Sequence, residues 1–391
     1  MDEKVKEKTS KFLFQNYGRM NICFTHGKGA YLYDTDGKEY LDLVAGIAVN
    51  SIGYAHPKWV KAVQEQAARL AHTSNLYHVK EQADLAEKLA SITPKGMTKA
   101  LFVNSGAEAN EGALKLAVRY TKRKRVLSAL NSFHGRISAT LGATGQKKYQ
   151  ESFEPLIADS FDHFVYGDAE DMKSKISKDT AALIIEPVQG EGGVQMASKE
   201  FFKAVRDVCT DNGTLLIIDE VQTGIGRTGE WFGIQNHDVI PDIITMAKAL
   251  GGGAPIGAVS TTPEISSVLT PGTHGTTFGG NPLVCAAACA TLDIMKEEGL
   301  VKNAKTLGKK WMSDLKKIES SDIADVRGMG LIIGVEMKEH AKDVQSSALE
   351  SGMLVNVCHG NTVRLIPPLI LKKEEADRFT KHLSSFAAKY N

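Results

Sequence analysis

Between residues 80 and 300 the chain alternates short apolar, β-branched runs with stretches of helical periodicity, and this alternation limits the fold more than any other feature. The runs at 181–185 and 215–218 contain no polar residue, and a shorter one stands at 243–245. A strand wetted on one face alternates apolar and polar side chains; a strand without alternation is covered on both. Helical stretches such as 199–212 lie between these runs, so the pattern predicts an α/β domain whose mostly parallel sheet is flanked by helices. The texture changes near residue 300. An exposed amphipathic helix is predicted over 303–318, strands over 328–337 and 354–357, and a last helix over 372–390. Near the start, residues 29–43 read as two strands around the turn DTDG, and Pro57 opens a helix at an N1-like position. A chain of 391 residues exceeds what one core usually serves. The expected division is 51–299 as a large domain, with 1–50 and 300–391 joining as a smaller α+β domain.

Charge excludes some partners. Lys and Arg number 47 against 46 acidic residues, a net of +1, which offers no footprint for nucleic acid or a membrane surface. The basic run 122–125 reads as the solvated end of a helix. The five cysteines are scattered and odd in number, which is no disulfide framework. Cys285 and Cys289, four apart in an alanine-rich run, read as small apolar packing rather than metal ligands. The charged N-terminus is unlike a signal peptide, and no stretch is apolar for long enough to span a bilayer, so a cytoplasmic location is expected.

Three places carry chemistry. NSGAE (104–108) follows an apolar run and opens a helix; Ser105 and Glu108 form a capping box, while Gly106 and Ala107 keep the first turn free of bulk. Such a turn starts a helix and can also cradle a phosphate. At Asp219-Glu220 two carboxylates stand where a buried strand ends, the place where ligands bind in α/β sheets. A carboxylate there can be a metal ligand, an acid–base group, a counter-ion to a cationic ligand, or a helix cap. Lys248 lies just past an apolar run, among alanines and before Gly251, Gly252 and Gly253. It is poorly placed for a surface ion pair, and desolvation favours its neutral amine, the form that attacks a carbonyl. GIGRTG (224–229) has dinucleotide-loop spacing, but the run after it lacks the helix such a loop needs. A phosphate cradle, a strand-end carboxylate and a small-residue lysine together suit pyridoxal 5′-phosphate, which needs an anion site, an amine for its aldehyde and a carboxylate at its ring nitrogen.

With these residues the chain resembles the class III, fold-type I aminotransferases. The resemblance spans nearly the whole length through NSGAEAN (104–110), SFHGR (132–136), EPVQGEGG (186–193), DEVQTG (219–224) and TTFGGNP (276–282). AVN (48–50), HTSNLY (72–77) and NVCHGNTVRLIPP (356–368) are most similar to members that transaminate N-acetylornithine. The resemblance implies a fold-type I architecture, pyridoxal phosphate held covalently by Lys248, and Asp219 at the ring nitrogen. It implies Ser105, Gly106 and Ala107 at the phosphate, Phe133 and Val221 on the two ring faces, and His134 and Gln222 among the cofactor contacts. Thr277, or Thr276 if the register shifts by one, would reach the phosphate in a partner subunit, making the active unit a homodimer. Arg136 and Arg364 would clamp substrate carboxylates, with Asn50 also at the substrate and Glu191 pairing Arg364 when a substrate lacks the second carboxylate. Glu186 is expected near the cofactor with no assigned role. The implied partners are N-acetylornithine and 2-oxoglutarate, with ornithine, succinylated amines, 4-aminobutyrate or an internal amino shift as alternatives. SIGY (51–54) departs from the family's usual set and is expected to border the substrate entrance.

Overall fold

The computed structural model describes residues 3–390. Its centre is a seven-stranded sheet in the spatial order Lys99–Val103, Gly257–Thr261, Ile243–Met246, Leu215–Asp219, Thr180–Ile185, Arg125–Ala129 and Phe161–Phe164. Gly257–Thr261 runs against both of its neighbours, and every other pairing inside the sheet is parallel. The expected two-sided burial holds in detail. Leu183, Ile185, Leu216, Ile218 and Ile244 enter one apolar core, while the intervening Ala182, Ile184, Leu215, Ile217 and Ile243 enter another on the opposite face. Helix Gly106–Thr121 covers the second face through Ala109, Ala113, Leu116 and Ala117. Helices Lys199–Asn212 and Pro282–Glu297 supply Phe201, Phe202, Val205, Val284 and Cys285 to the first.

The chain ends build a second region together. Strands Phe24–Lys28, Tyr31–Asp34 and Glu39–Asp42 form a sheet whose fourth strand is Met353–Leu354, from the far end of the sequence. A separate antiparallel sheet contains Ile323–Met329, Ile332–Met337, Thr362–Leu365 and Asn356–Cys358.

Several expectations need correction. The strand expected over 328–337 is the end of one strand and the whole of another, folded back at Gly330, whose φ of 58° suits glycine. Residues 354–357 are split between two sheets. The helix expected over 303–318 runs Leu300–Leu315 and is less exposed than its periodicity suggests, because Trp311 and Leu315 are buried. The basic run is not simply solvated: Arg123 donates to the carbonyls of Thr180 and Asn212, and Arg125 forms a two-point pair with Asp162.

One segment departs from ordinary backbone. Ala45, Gly46, Ile47 and Ala48 have φ of 52°, 63°, 66° and 61°, a left-handed turn in which only one residue is glycine. Such backbone costs roughly 1–2 kcal/mol for each non-glycine residue.

Candidate active site

The carboxyl ends of the central strands open on a cavity of about 480 Å³, a size suited to a small cofactor with substrate. Its wall receives Ser105, Gly106 and Ala107 from the turn after Lys99–Val103, and Phe133, His134 and Arg136 from the loop after Arg125–Ala129. Glu186 follows Thr180–Ile185, Asp219 ends Leu215–Asp219, and Lys248 follows Ile243–Met246. Residues far apart in sequence meet here because parallel strands deliver all their C-terminal ends to one edge.

Ser105 is the N-cap of its helix; its hydroxyl accepts from the Glu108 N–H at 3.1 Å. Glu108 reaches back one residue further than the capping box predicts, accepting from the backbone N–H and side-chain amide of Asn104 at 2.9 and 2.8 Å. At Gly106 an added Cβ would lie 2.7 Å from Val221 Cγ1, so the bare turn lets Val221 close against the helix N-terminus. The first internal helix bond runs from Ala109 N–H to Ser105 O, and Gly106 and Ala107, ahead of it, lie on the wall. The arrangement suits an anion.

Asp219 is buried and held from several sides. Its Oδ2 accepts from Asn110 Nδ2 at 2.7 Å and bonds His134 Nδ1 at 2.7 Å; its Oδ1 accepts from the Val221 N–H at 2.9 Å. Thr245 donates to the Asn110 carbonyl oxygen at 2.6 Å, orienting that amide. A carboxylate at this distance calls for the proton on Nδ1 of His134, and the buried Nε2 has no hydrogen-bond partner among the described residues. Asn110 and Thr245 were not anticipated. Asn110 stands inside a quoted motif, but on a helix otherwise lined with alanine it reads as spacing; Thr245 reads as one more strand residue.

Lys248 sits at φ 43°, a left-handed conformation that turns the chain sharply out of the strand. Burial lowers its amine below the usual lysine range; the Glu191 carboxylate opposes that shift and the Arg364 cation adds to it. Glu186 accepts from the Phe133 N–H at 3.2 Å. Burial first, and then the charge of Asp219, push its carboxyl well above the usual range. Glu186 therefore braces the loop that carries Phe133, a contact no local sequence signal reveals. Asp219 and Glu220 part company at the strand end. Glu220 points away from the cavity wall and accepts from Thr223 Oγ1 and from the N–H groups of Gly233 and Ile234 at 2.5, 2.8 and 2.8 Å.

The two arginines differ. Arg364 is buried, with Nη1 donating to Glu191 Oε1 at 2.5 Å and to Gln222 Oε1 at 3.1 Å, and Nε donating to Asn356 at 3.3 Å. Burial alone would raise the Glu191 carboxyl, but the charges of Arg364 and Lys248 and bonds from Arg364 and Gln222 hold it below its usual range. Gln222 is on the cavity wall and joins it to this ion pair, which lies just behind. Arg136 is exposed at the rim, its guanidinium 4.0 Å from the centre of the Tyr149 ring and 5.5 Å from that of Phe133. Tyr149 is a further residue the sequence did not flag. Val49, rather than the expected Asn50, lies on the wall; Asn50 stands behind it, where a Cβ on the wall residue Gly253 would come within 3.3 Å of its Oδ1. Thr277 is exposed and off its own chain's cavity, while Thr276 Oγ1 accepts from Asn104 Nδ2 at 3.0 Å.

Two expectations about neighbouring segments resolve differently. GIGRTG is followed by a short 3₁₀ turn, Gly233–His237, where a dinucleotide site would require a helix, and a Cβ at Gly226 would strike Met295 at 2.6 Å. SIGY does not border the entrance: Ser51, Ile52 and Gly53 are buried, and Ser51 donates to the Ala249 carbonyl beside Lys248 at 3.2 Å.

Comparison with known proteins agrees with this geometry. The profile of the aminotransferase class-III family matches residues 13–386. An acetylornithine aminotransferase from Methanothermobacter thermautotrophicus is 47% identical over 377 residues, 96% of each chain. One from Methanocaldococcus jannaschii is 46% identical over 94% of each. Among solved structures, an ornithine aminotransferase from Toxoplasma gondii superposes with a TM-score of 0.95 at 31% identity, covering 100% of this chain and 95% of that one. An acetylornithine aminotransferase from Elizabethkingia anophelis gives 0.88 at 32% identity over 99% of each.

Proposed function

The chain belongs to the class-III aminotransferases, which are pyridoxal-phosphate-dependent, and on that premise we propose that it transfers the δ-amino group of N-acetylornithine to 2-oxoglutarate, yielding N-acetylglutamate semialdehyde and glutamate. One arrangement supports the reading most: Lys248, Asp219 and the bare helix start at Ser105 share one cavity, backed by a buried arginine already paired with an acid.

The residues present fit the cofactor. The helix N-terminus at Ser105–Ala107 would take the phosphate, the carboxylate of Asp219 the ring nitrogen, Phe133 and Val221 the ring faces, and His134 and Gln222 the periphery. When bound, pyridoxal phosphate supplies an aldehyde that accepts the amino group and a ring that spreads the electron pair left by C–H cleavage. Lys248 contributes an amine whose lowered proton affinity suits both attack on a carbonyl and movement of a proton at the substrate's δ-carbon. His134 and Asn110 keep Asp219 oriented and its charge stabilised. Arg136 binds a substrate carboxylate at the rim, and Arg364 binds the second carboxylate of 2-oxoglutarate through two parallel hydrogen bonds once Glu191 releases it. With a donor lacking that group, Glu191 stays on Arg364, so no buried cation is left unpaired.

The reading extends to assembly and location. Thr277 is exposed beside Phe278, and Leu76 and Tyr77 are exposed as well. A homodimer covering these residues would bring Thr277 to the partner's phosphate site. We place the domain division at residues 50 and 299, and the enzyme in the cytoplasm; no described helix is long and apolar enough to cross a membrane.

Glutamate formation from 2-oxoglutarate, measured across N-acetylornithine, ornithine, N-succinylornithine and 4-aminobutyrate, tests the substrate. N-acetylornithine should give the highest kcat/KM, on the order of tenfold above free ornithine, the scale of one hydrogen-bonded group. A higher value for ornithine or 4-aminobutyrate would overturn the assignment, as would product formed without any oxo acid.

A further inference from the structure

The left-handed turn at residues 45–48 has open space on two sides. Val49, at its exit, lies on the wall of the active cavity. Val44 and Gly46 lie on the wall of a second cavity of about 270 Å³, lined otherwise by apolar groups such as Leu32 and Met353 and by Asp42 and Tyr54. Packing alone is a poor explanation for a turn so placed, and three of its four residues prefer right-handed backbone. Hydrogen bonds hold it instead. Asp42 Oδ1 accepts from the N–H groups of Val44 and Ala45 at 2.8 and 3.0 Å, and Oδ2 accepts from the Tyr54 hydroxyl at 2.5 Å.

Tyr54 is fixed independently of that bond. Its N–H donates to Gly29 O at 2.8 Å, and its carbonyl accepts from Gly29 N–H at 3.1 Å. Its ring lies on Gly27, where an added Cβ would come within 2.6 Å of it. The hydroxyl is thus delivered to Asp42 by a frame that does not need the turn. On the far side, Ser51 links the turn's exit to the Ala249 carbonyl, one residue beyond Lys248.

We propose that Asp42 and Tyr54 are positioning residues for transamination: their hydrogen bond locks the left-handed turn and so sets Val49 against the substrate. The kinetic arm of the inference rests on the aminotransferase reading; the exchange arm does not. The test is Tyr54→Phe, which keeps the ring and removes only the hydroxyl. With the enzyme saturated in pyridoxal phosphate, KM for the amine donor should rise at least fivefold while kcat and cofactor affinity stay within twofold. Amide hydrogen exchange should speed up in a peptide spanning residues 44–51 and stay unchanged in the central strands. Asp42→Ala should reproduce both effects. Asp42→Asn, which keeps an acceptor for Val44 and Ala45 and offers an N–H to the phenol oxygen, should recover at least half of the loss. Wild-type KM and wild-type exchange in Tyr54→Phe would overturn the lock. So would failure of that variant to fold, or exchange rising throughout the chain, since the hydroxyl would then serve stability alone. A wild-type enzyme inactive on N-acetylornithine would sink the substrate reading and leave the exchange result to judge the lock.

Discussion

A lysine in water keeps its proton up to a pH of about 10.4 and is then no nucleophile. Lys248 escapes that state because its surroundings remove water faster than they supply negative charge. Replacing it by alanine should abolish turnover and the visible absorbance of covalently held cofactor while leaving the fold intact; the spectrum and a glutamate assay check both. At Arg364 the expectation is asymmetric. Arg364→Ala should slow the 2-oxoglutarate half-reaction on the order of 100-fold, the scale of a lost two-point charged contact, and the amine half-reaction by far less. Single-turnover rates measured separately test this, and equal losses would remove the switching role given to Glu191. Lys248, Asp219 and Arg364 could be picked out of the sequence because each is a charged residue in an apolar or small-residue frame. Asn110, Thr245 and Tyr149 could not: their polar atoms matter through partners more than thirty positions away or through a ring contact, and nothing in their neighbours signals it.

Among the elements, the strand Leu215–Asp219 divides two adjacent carboxylates between two tasks. Alternation sends Asp219 to the cavity and Glu220 to the loop that closes over Gly233. Burial pushes the Glu220 carboxyl up to about 7, so the folded chain binds its proton more tightly than the unfolded chain does. The stability from this group is complete below a pH of about 4.5 and is lost as pH rises through 7, by an amount on the order of 3 kcal/mol. Glu220→Gln should flatten that part of the pH profile, which denaturant midpoints of both proteins at pH 5 and 8 would show. Equal slopes would place the protonation elsewhere. Element boundaries were legible where local chemistry marks them. Lys199–Asn212 begins at a serine cap and ends at Gly213 in the left-handed region, as its sequence announces. The hairpin at Gly330 was hidden because apolar residues run through it unbroken. The left-handed turn at 45–48 carries one glycine, and the hydrogen bonds that hold it come from a strand end and from Tyr54.

At the scale of the molecule, the doubly covered sheet was readable because every central strand is apolar on both faces, while the small sheet built from both chain ends leaves only a faint trace in any local window. Phe278 offers a check on assembly. Phe278→Glu would place a carboxylate in the proposed interface, so the protein should become monomeric by light scattering and lose activity through the missing Thr277. A fully active dimer would show that the interface lies elsewhere.

Met353–Leu354 pairs with Glu39–Asp42, and Lys38 reaches Glu350 across a separation of 312 residues. During synthesis the first three strands therefore leave the ribosome long before the strand that completes their sheet exists. Their open edge must wait through most of translation, and the smaller region can close only after the tail is released. Truncating a few dozen residues from the carboxyl end would thus strand both termini at once, leaving the central sheet to fold alone.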